Sequence, residues 1–173
     1  MLREINCRFS DMYTFFIFTE KDFLVFFFKR LKENEDGKYR DDFPYISRCG
    51  REMNYIRCDD TPLVFTHMID ADGETSSDLL SYGGAGDRMT LPFEPANVCM
   101  LPDTGRVYHP APEQYGNIGL IKSSLAIELS AFFDYDSGDE TQPPSHFTWK
   151  GKKYKLSNKL FEVVKDRNIQ ADN

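Results

Sequence analysis

The chain of 173 residues has four cysteines, three histidines, one tryptophan and no long uninterrupted apolar run. The cysteines, at 7, 49, 58 and 99, include no C-x-x-C pair, which removes the zinc ribbon and the thioredoxin-type redox site. They are too sparse for the disulfide scaffold of a small secreted domain. Reduced thiols are the expectation. The apolar stretch near the N terminus is interrupted by Glu4 and Asp11 and stops at Phe18. That is too short for a bilayer-spanning helix, and neither a signal cleavage pattern nor a clean transit peptide accompanies it. No Gly-Lys-Ser/Thr follows Gly83-Gly84-Ala85-Gly86, so that loop is no phosphate-binding P-loop. Ser123-Ser124 lacks the G-x-S-x-G nucleophile elbow. A basic excess is missing as well: the net charge is −7, the wrong sign for a general nucleic-acid binder. Residues 150–173 hold seven Lys/Arg against three Asp/Glu, a local +4 that leaves −11 on the remainder. A solvated surface of mixed sign accounts for that tail.

What is present is aromatic. Fifteen Phe and nine Tyr supply the core of one domain of this length. Thr19 as N-cap with an acid three residues on, then Leu24, Phe27, Phe28 and Leu31 at helical spacing, predict a helix over 20–33. Alternation predicts a hairpin of 46–48 with 53–57 around a 49–52 turn. Strands are expected at 63–69, 79–82 and 88–93, with hairpins 98–101/106–109 and 147–149/153–155. Residues 120–133 fit either a strand or a helix, and the Leu, Ala and Glu content selects the helix. A short helix capped by Ser157 is expected over 157–167, and a disordered loop over 136–144. The fold class is α+β: a β-rich single domain of antiparallel hairpins with two or three helices. Its body spans 21–156, between residues 1–20 and a C-terminal helix and tail over 157–173.

Polar chemistry concentrates in residues 43–67, with two cysteines, one histidine, three arginines and three acids. Arg48, Arg51 and Arg57 can clamp an anion through bidentate contacts, with Tyr55 beside Arg57 on one strand face. A surface ion-pair lattice accounts for the same residues equally well. Cys49 and Cys58 would stand about 20 Å apart along the hairpin, which excludes a shared metal site. Cys58 with His67 stays open. His67 is placed on the apolar face of its strand, and a buried histidine with one backbone partner is its plain explanation. His109, beside Tyr108, is placed where a strand leaves the sheet, and is the better candidate for a general base. Cys58, Asp59 or Glu128 would assist it. Glu128 lies on an otherwise apolar segment, either as a buried acid or facing solvent. Asp59-Asp60 before Thr-Pro reads more simply as a turn than as a cation site.

The ordered blocks FLVFFFKRL, G-K-Y, F-P, C-G-R-E, R-C-D-D, P-L-V-F-T-H, L-P-F-E-P, G-R-V-Y-H-P-A-P and G-L-I-K-S-S-L-A-I-E-L-S resemble uncharacterised protein family five-nine-eight, a eukaryotic group with bacterial relatives. The likeness runs from about Lys21 to about Lys155. Residues 1–20 do not match the Tyr/Phe-rich strand pair that opens the family. The resemblance implies no catalytic residues and, because animal members are placed in mitochondria, a mitochondrial location, with the cytoplasm as the alternative for a chain lacking a clear presequence. A fainter likeness to a β-rich bacterial family supports only the fold class. The functional expectation is a binding or interaction module for an anionic small molecule or a protein partner, without nucleic acid, without a membrane span and without a metal, the cofactor being left open. Ligand contacts are expected from Arg48, Arg51, Tyr55, Arg57, His67 and Tyr108. The alternatives are a hydrolase or transferase using His109, Cys58 and Glu128, or a structural role in a larger assembly.

Overall fold

Tight turns and alternating apolar residues organise the chain into three sheets. The computed structural model describes residues 8–9, 21–35, 37–71, 77–136 and 138–164. The first sheet holds β1 (Arg8–Phe9), β2 (Leu31–Glu33), β3 (Tyr45–Cys49) and β4 (Glu52–Arg57) in the order β1-β4-β3-β2. Cys49 pairs with Glu52, which leaves Gly50 and Arg51 as a two-residue turn. Gly50 has φ +68°, a left-handed conformation that glycine adopts without a Cβ penalty.

Helix α1 (Lys21–Phe28) packs on this sheet through Phe27 and Phe28. It ends five residues before the expected boundary at 33. Its last carbonyls are taken by side chains from elsewhere: Ser47 Oγ donates to Phe27 O at 2.9 Å and the Tyr115 hydroxyl to Phe28 O at 2.9 Å. These satisfy acceptors that every helix end leaves open. The chain then turns, and Leu31–Glu33 pairs with β3 as an edge strand. The expected cap at Thr19 lies outside the described residues.

The second sheet holds β5 (Val64–Ile69), β6 (Leu79–Tyr82), β7 (Thr90–Pro92), β8 (Cys99–Met100), β9 (Val107–Pro110) and β10 (Ile118–Ile121). Its order is β7-β6-β5-β10-β9-β8. Among the described strands, β5 and β10 form the one parallel pair. Gly119 lets them close up, since a Cβ there would meet Leu63 Cδ2 and Phe65 Cε2 at 2.7 Å each. Helix α2 (Ser123–Ser130) follows β10. The segment 120–133 is therefore strand, helix and strand in turn, because β11 (Phe133–Asp134) begins the third sheet. That sheet continues through β12 (His146–Trp149) and β13 (Lys152–Lys155), in the order β11-β12-β13. Lys150 and Gly151 close its hairpin with φ of 47° and 77°, both positive as a type I′ turn requires.

A large core joins all three sheets through Phe28, Ile56, Phe65, Phe93, Leu129 and Phe147. A smaller one gathers Leu101, Tyr108, Ile118 and Val164 beneath α3 (159–164). Ser157, the expected cap of α3, donates its hydroxyl to Asn97 Oδ1 at 2.9 Å. Within the described residues of the 136–144 segment, expected to be disordered, a turn forms: Asp139 Oδ1 accepts from the Thr141 amide at 2.9 Å and from its hydroxyl at 2.6 Å. Asp78 ties the second sheet to the third, accepting from Trp149 Nε1 at 2.7 Å and Lys150 Nζ at 2.6 Å. Burial opposes its charge, but these bonds and the Ala71 amide outweigh burial and hold the carboxyl below its usual range. The α+β, β-rich expectation holds.

Candidate binding site

Two surfaces of the described residues gather polar side chains. The first is the outer face of the β3–β4 hairpin. Residues paired across an antiparallel ladder point to the same side, and Arg48 pairs with Met53, Ile46 with Tyr55 and Lys32 with Ile46. Period-two alternation adds Arg57. Lys32, Arg48 and Arg57 are exposed, as is Arg51 in the turn. Tyr55 is half-buried, met edge-on by Tyr39 at 5.3 Å and by Phe43 at 6.3 Å. Cys49 projects the other way, with its sulfur 3.7 Å from Ser47 Oγ. The register also separates the two thiols: Cys58 lies six residues beyond Glu52, about 20 Å along an extended strand. No group of three metal-ligating side chains converges among the described residues.

The second surface is a cleft of about 580 Å³ where the start of β5, the end of β10, the 104–106 turn and α2 meet. Thr61 locks its wall: its hydroxyl donates to Leu63 O at 2.8 Å and accepts from the Leu120 amide at 3.0 Å. Asp60 stands beside it. One of its oxygens, Oδ2, accepts from the Tyr108 hydroxyl at 2.7 Å and from Arg106 Nη1 at 2.8 Å. Arg106 and Tyr108 reach the same atom because they are two apart in an extended chain. Tyr108 is fully buried, and burial, reinforced by Asp60, pushes its hydroxyl well above the ordinary range. Contact with Tyr108 and the Asp60 charge outweigh partial burial and fix Arg106 as a cation. The Asp60 side chain is only 14% exposed, whereas Arg106 keeps 49% of its side chain open. Cys58 and Asp59 line the same end. Val64, Met100, Leu120 and Ile127 supply apolar lining, with Ser123 and Ser130 among them. Helix α2 buries Leu125 and Leu129 beneath it and turns Ser123, Ile127 and Ser130 to the cleft, leaving Ile127 72% exposed.

The histidines are placed otherwise than expected. His109 lies within β9 and is 1% exposed. Its Nε2 accepts from the Glu94 amide at 2.9 Å, so the proton sits on Nδ1, which donates to Pro110 O at 2.8 Å. Phe93 stacks on the ring at 5.7 Å and Phe65 meets it edge-on at 5.3 Å. Burial lowers its pKa to about 4. With both nitrogens engaged by backbone, the ring has no lone pair for a substrate proton. His67 was expected on the apolar face with Phe65, but a bulge between the two shifts the pairing and turns His67 to solvent. Its ring nitrogen lies 3.0 Å from Thr66 Oγ1. Glu128 is exposed on α2 and does not line the cleft. Thus Cys58 lines the cleft, Tyr108 is buried behind it and bonds Asp60 of its wall, Arg48, Tyr55 and Arg57 belong to the sheet face, and His67, His109 and Glu128 to neither. Arg106 and the role of Asp60 were not foreseen. The one local signal was the Arg-x-Tyr alternation entering a strand.

The family model described as Domain of unknown function (DUF4505) matches residues 8–161. The chain belongs to that family. The match extends from β1 into α3 and so includes both surfaces. No solved structure matches the chain. Among the described residues no helix is long and apolar enough to cross a membrane. The family description names no activity, so residue chemistry must carry the functional reading.

Proposed function

We propose that this domain is a binding module whose cleft takes an anionic small molecule with an apolar body. The single observation behind this is Arg106, held by Asp60 yet half open in a cleft that also offers the apolar side chains of Val64, Met100, Leu120 and Ile127. Concave sites with a few convergent polar groups over an apolar lining are the usual form of small-molecule sites. Asp60 is already engaged by two donors, so the remaining guanidinium N–H groups are available to a ligand carboxylate. An enzymatic reading through His109 has no support in its surroundings, and no reaction is proposed.

The test is calorimetric titration with octanoate and with octanamide, which differ in charge but share a body. Octanoate is expected to bind about tenfold more tightly, the value of one additional charge-assisted contact of ~1.4 kcal/mol. Arg106→Gln is expected to remove that preference. Equal binding of the two compounds, or a preference that survives Arg106→Gln, would overturn the reading.

A further inference from the structure

We infer that the outer face of β2, β3 and β4 is a docking surface for an extended acidic segment of a partner protein, independent of the cleft. Lys32, Arg48 and Arg57 project from this face, and no described strand position sharing it carries an acid. None of the three cations makes an ion pair among the described residues. In the adjoining loop 37–44, two acids, Asp41 and Asp42, are balanced in number by Lys38 and Arg40. A chain of net charge −7 therefore keeps three open cations on one side, a local field complementary to an anionic partner.

The aromatic groups indicate which anion. Single-stranded nucleic acid needs open ring faces on which bases stack. Here the Tyr55 ring is enclosed edge-on by Tyr39 and Phe43, and the Lys38 ammonium lies 5.1 Å over the Tyr39 ring. What the surface offers instead is guanidinium groups around an apolar patch, since Met53 and Tyr39 are exposed. The geometry suits polypeptide. Arg48 lies opposite Met53, and Arg57 is four residues beyond Met53 on the same strand, a span of ~14 Å. An extended segment places same-side residues i and i+4 across that distance. Carboxylates at those positions meet Arg48 and Arg57, and an apolar residue midway between them lies over Tyr55 and the Tyr39 ring that packs on it.

The test is fluorescence anisotropy with the full chain and three labelled probes: a peptide repeating Glu-Ser-Leu-Ser-Glu, its Gln counterpart, and a single-stranded oligonucleotide of equal charge. The expected result is binding of the acidic peptide alone, weakened at least tenfold by the double variant Arg48→Gln/Arg57→Gln and unchanged by Lys155→Gln on β13. Circular dichroism of the double variant checks that the sheet is intact. Failure of the acidic peptide to bind, equal binding of its Gln counterpart, insensitivity to the double variant, or tighter binding of the oligonucleotide would each overturn the inference. Loss of octanoate binding is not among these outcomes, so the two proposals fail separately.

Discussion

The β3–β4 hairpin and the end of β9 carry the same kinds of residue, arginine, tyrosine and acid, and treat them in opposite ways. On the hairpin, cations close in sequence are left open to solvent, without ion pairs among the described residues. Around β9, Asp60 is brought to Arg106 and Tyr108 across 46 and 48 residues, and its Oδ2 is taken up by their two donors. His109, next along, is buried and bonded at both nitrogens. A dense run of polar residues in a sequence therefore need not mark a reactive centre. Which groups can act is decided by burial and by how many partners each already has.

That contrast is broken most sharply at His109. His109→Ala empties a packed ring site and leaves the Glu94 amide and Pro110 carbonyl without partners. We expect a loss of about 4 kcal/mol in urea unfolding, whereas a catalytic residue would lose activity and keep stability. The same histidine sets a pH dependence. Its folded pKa, about 4, lies below the ordinary 6.5, so protonation favours the unfolded chain. Its contribution is fully present above pH 6.5 and is lost as pH falls toward 4, by about 3 kcal/mol over that window. Unfolding free energies that stay flat between pH 6.5 and 4.5 would show that the ring is not held neutral. Tyr108→Phe removes one donor from Asp60 and leaves the Arg106 contact, for an expected cost of about 1.5 kcal/mol. On the hairpin, Arg51→Ala should change stability by less than about 0.5 kcal/mol while weakening capture of the acidic peptide. A melting temperature lowered by several degrees would mean that Arg51 carries structure.

The same contrast explains what the sequence disclosed. The β3–β4 and β12–β13 hairpins are local, and Gly50 and Lys150-Gly151 mark their turns where alternation changes direction. The core aromatics and the β-rich α+β class followed from composition and period. The bulge at Thr66 was not legible, because one extra residue in a strand leaves the alternation pattern intact while reversing which side His67 faces. The early end of α1 depends on Ser47 and Tyr115 reaching its carbonyls from 20 and 87 residues away. The Asp60–Arg106–Tyr108 contact is equally long-range, and nothing at Asp59-Asp60 distinguishes a turn from the wall of a cleft.

The division of labour between the two surfaces is tested most directly by NMR of the arginine Nε–Hε resonances during separate titrations with octanoate and the Glu-Ser-Leu-Ser-Glu peptide. Octanoate should move the Arg106 resonance and leave Arg48 and Arg57 in place; the peptide should do the reverse. Both probes moving one common set of arginines, or octanoate leaving Arg106 unmoved, would contradict the assignment of two distinct anion-recognising surfaces.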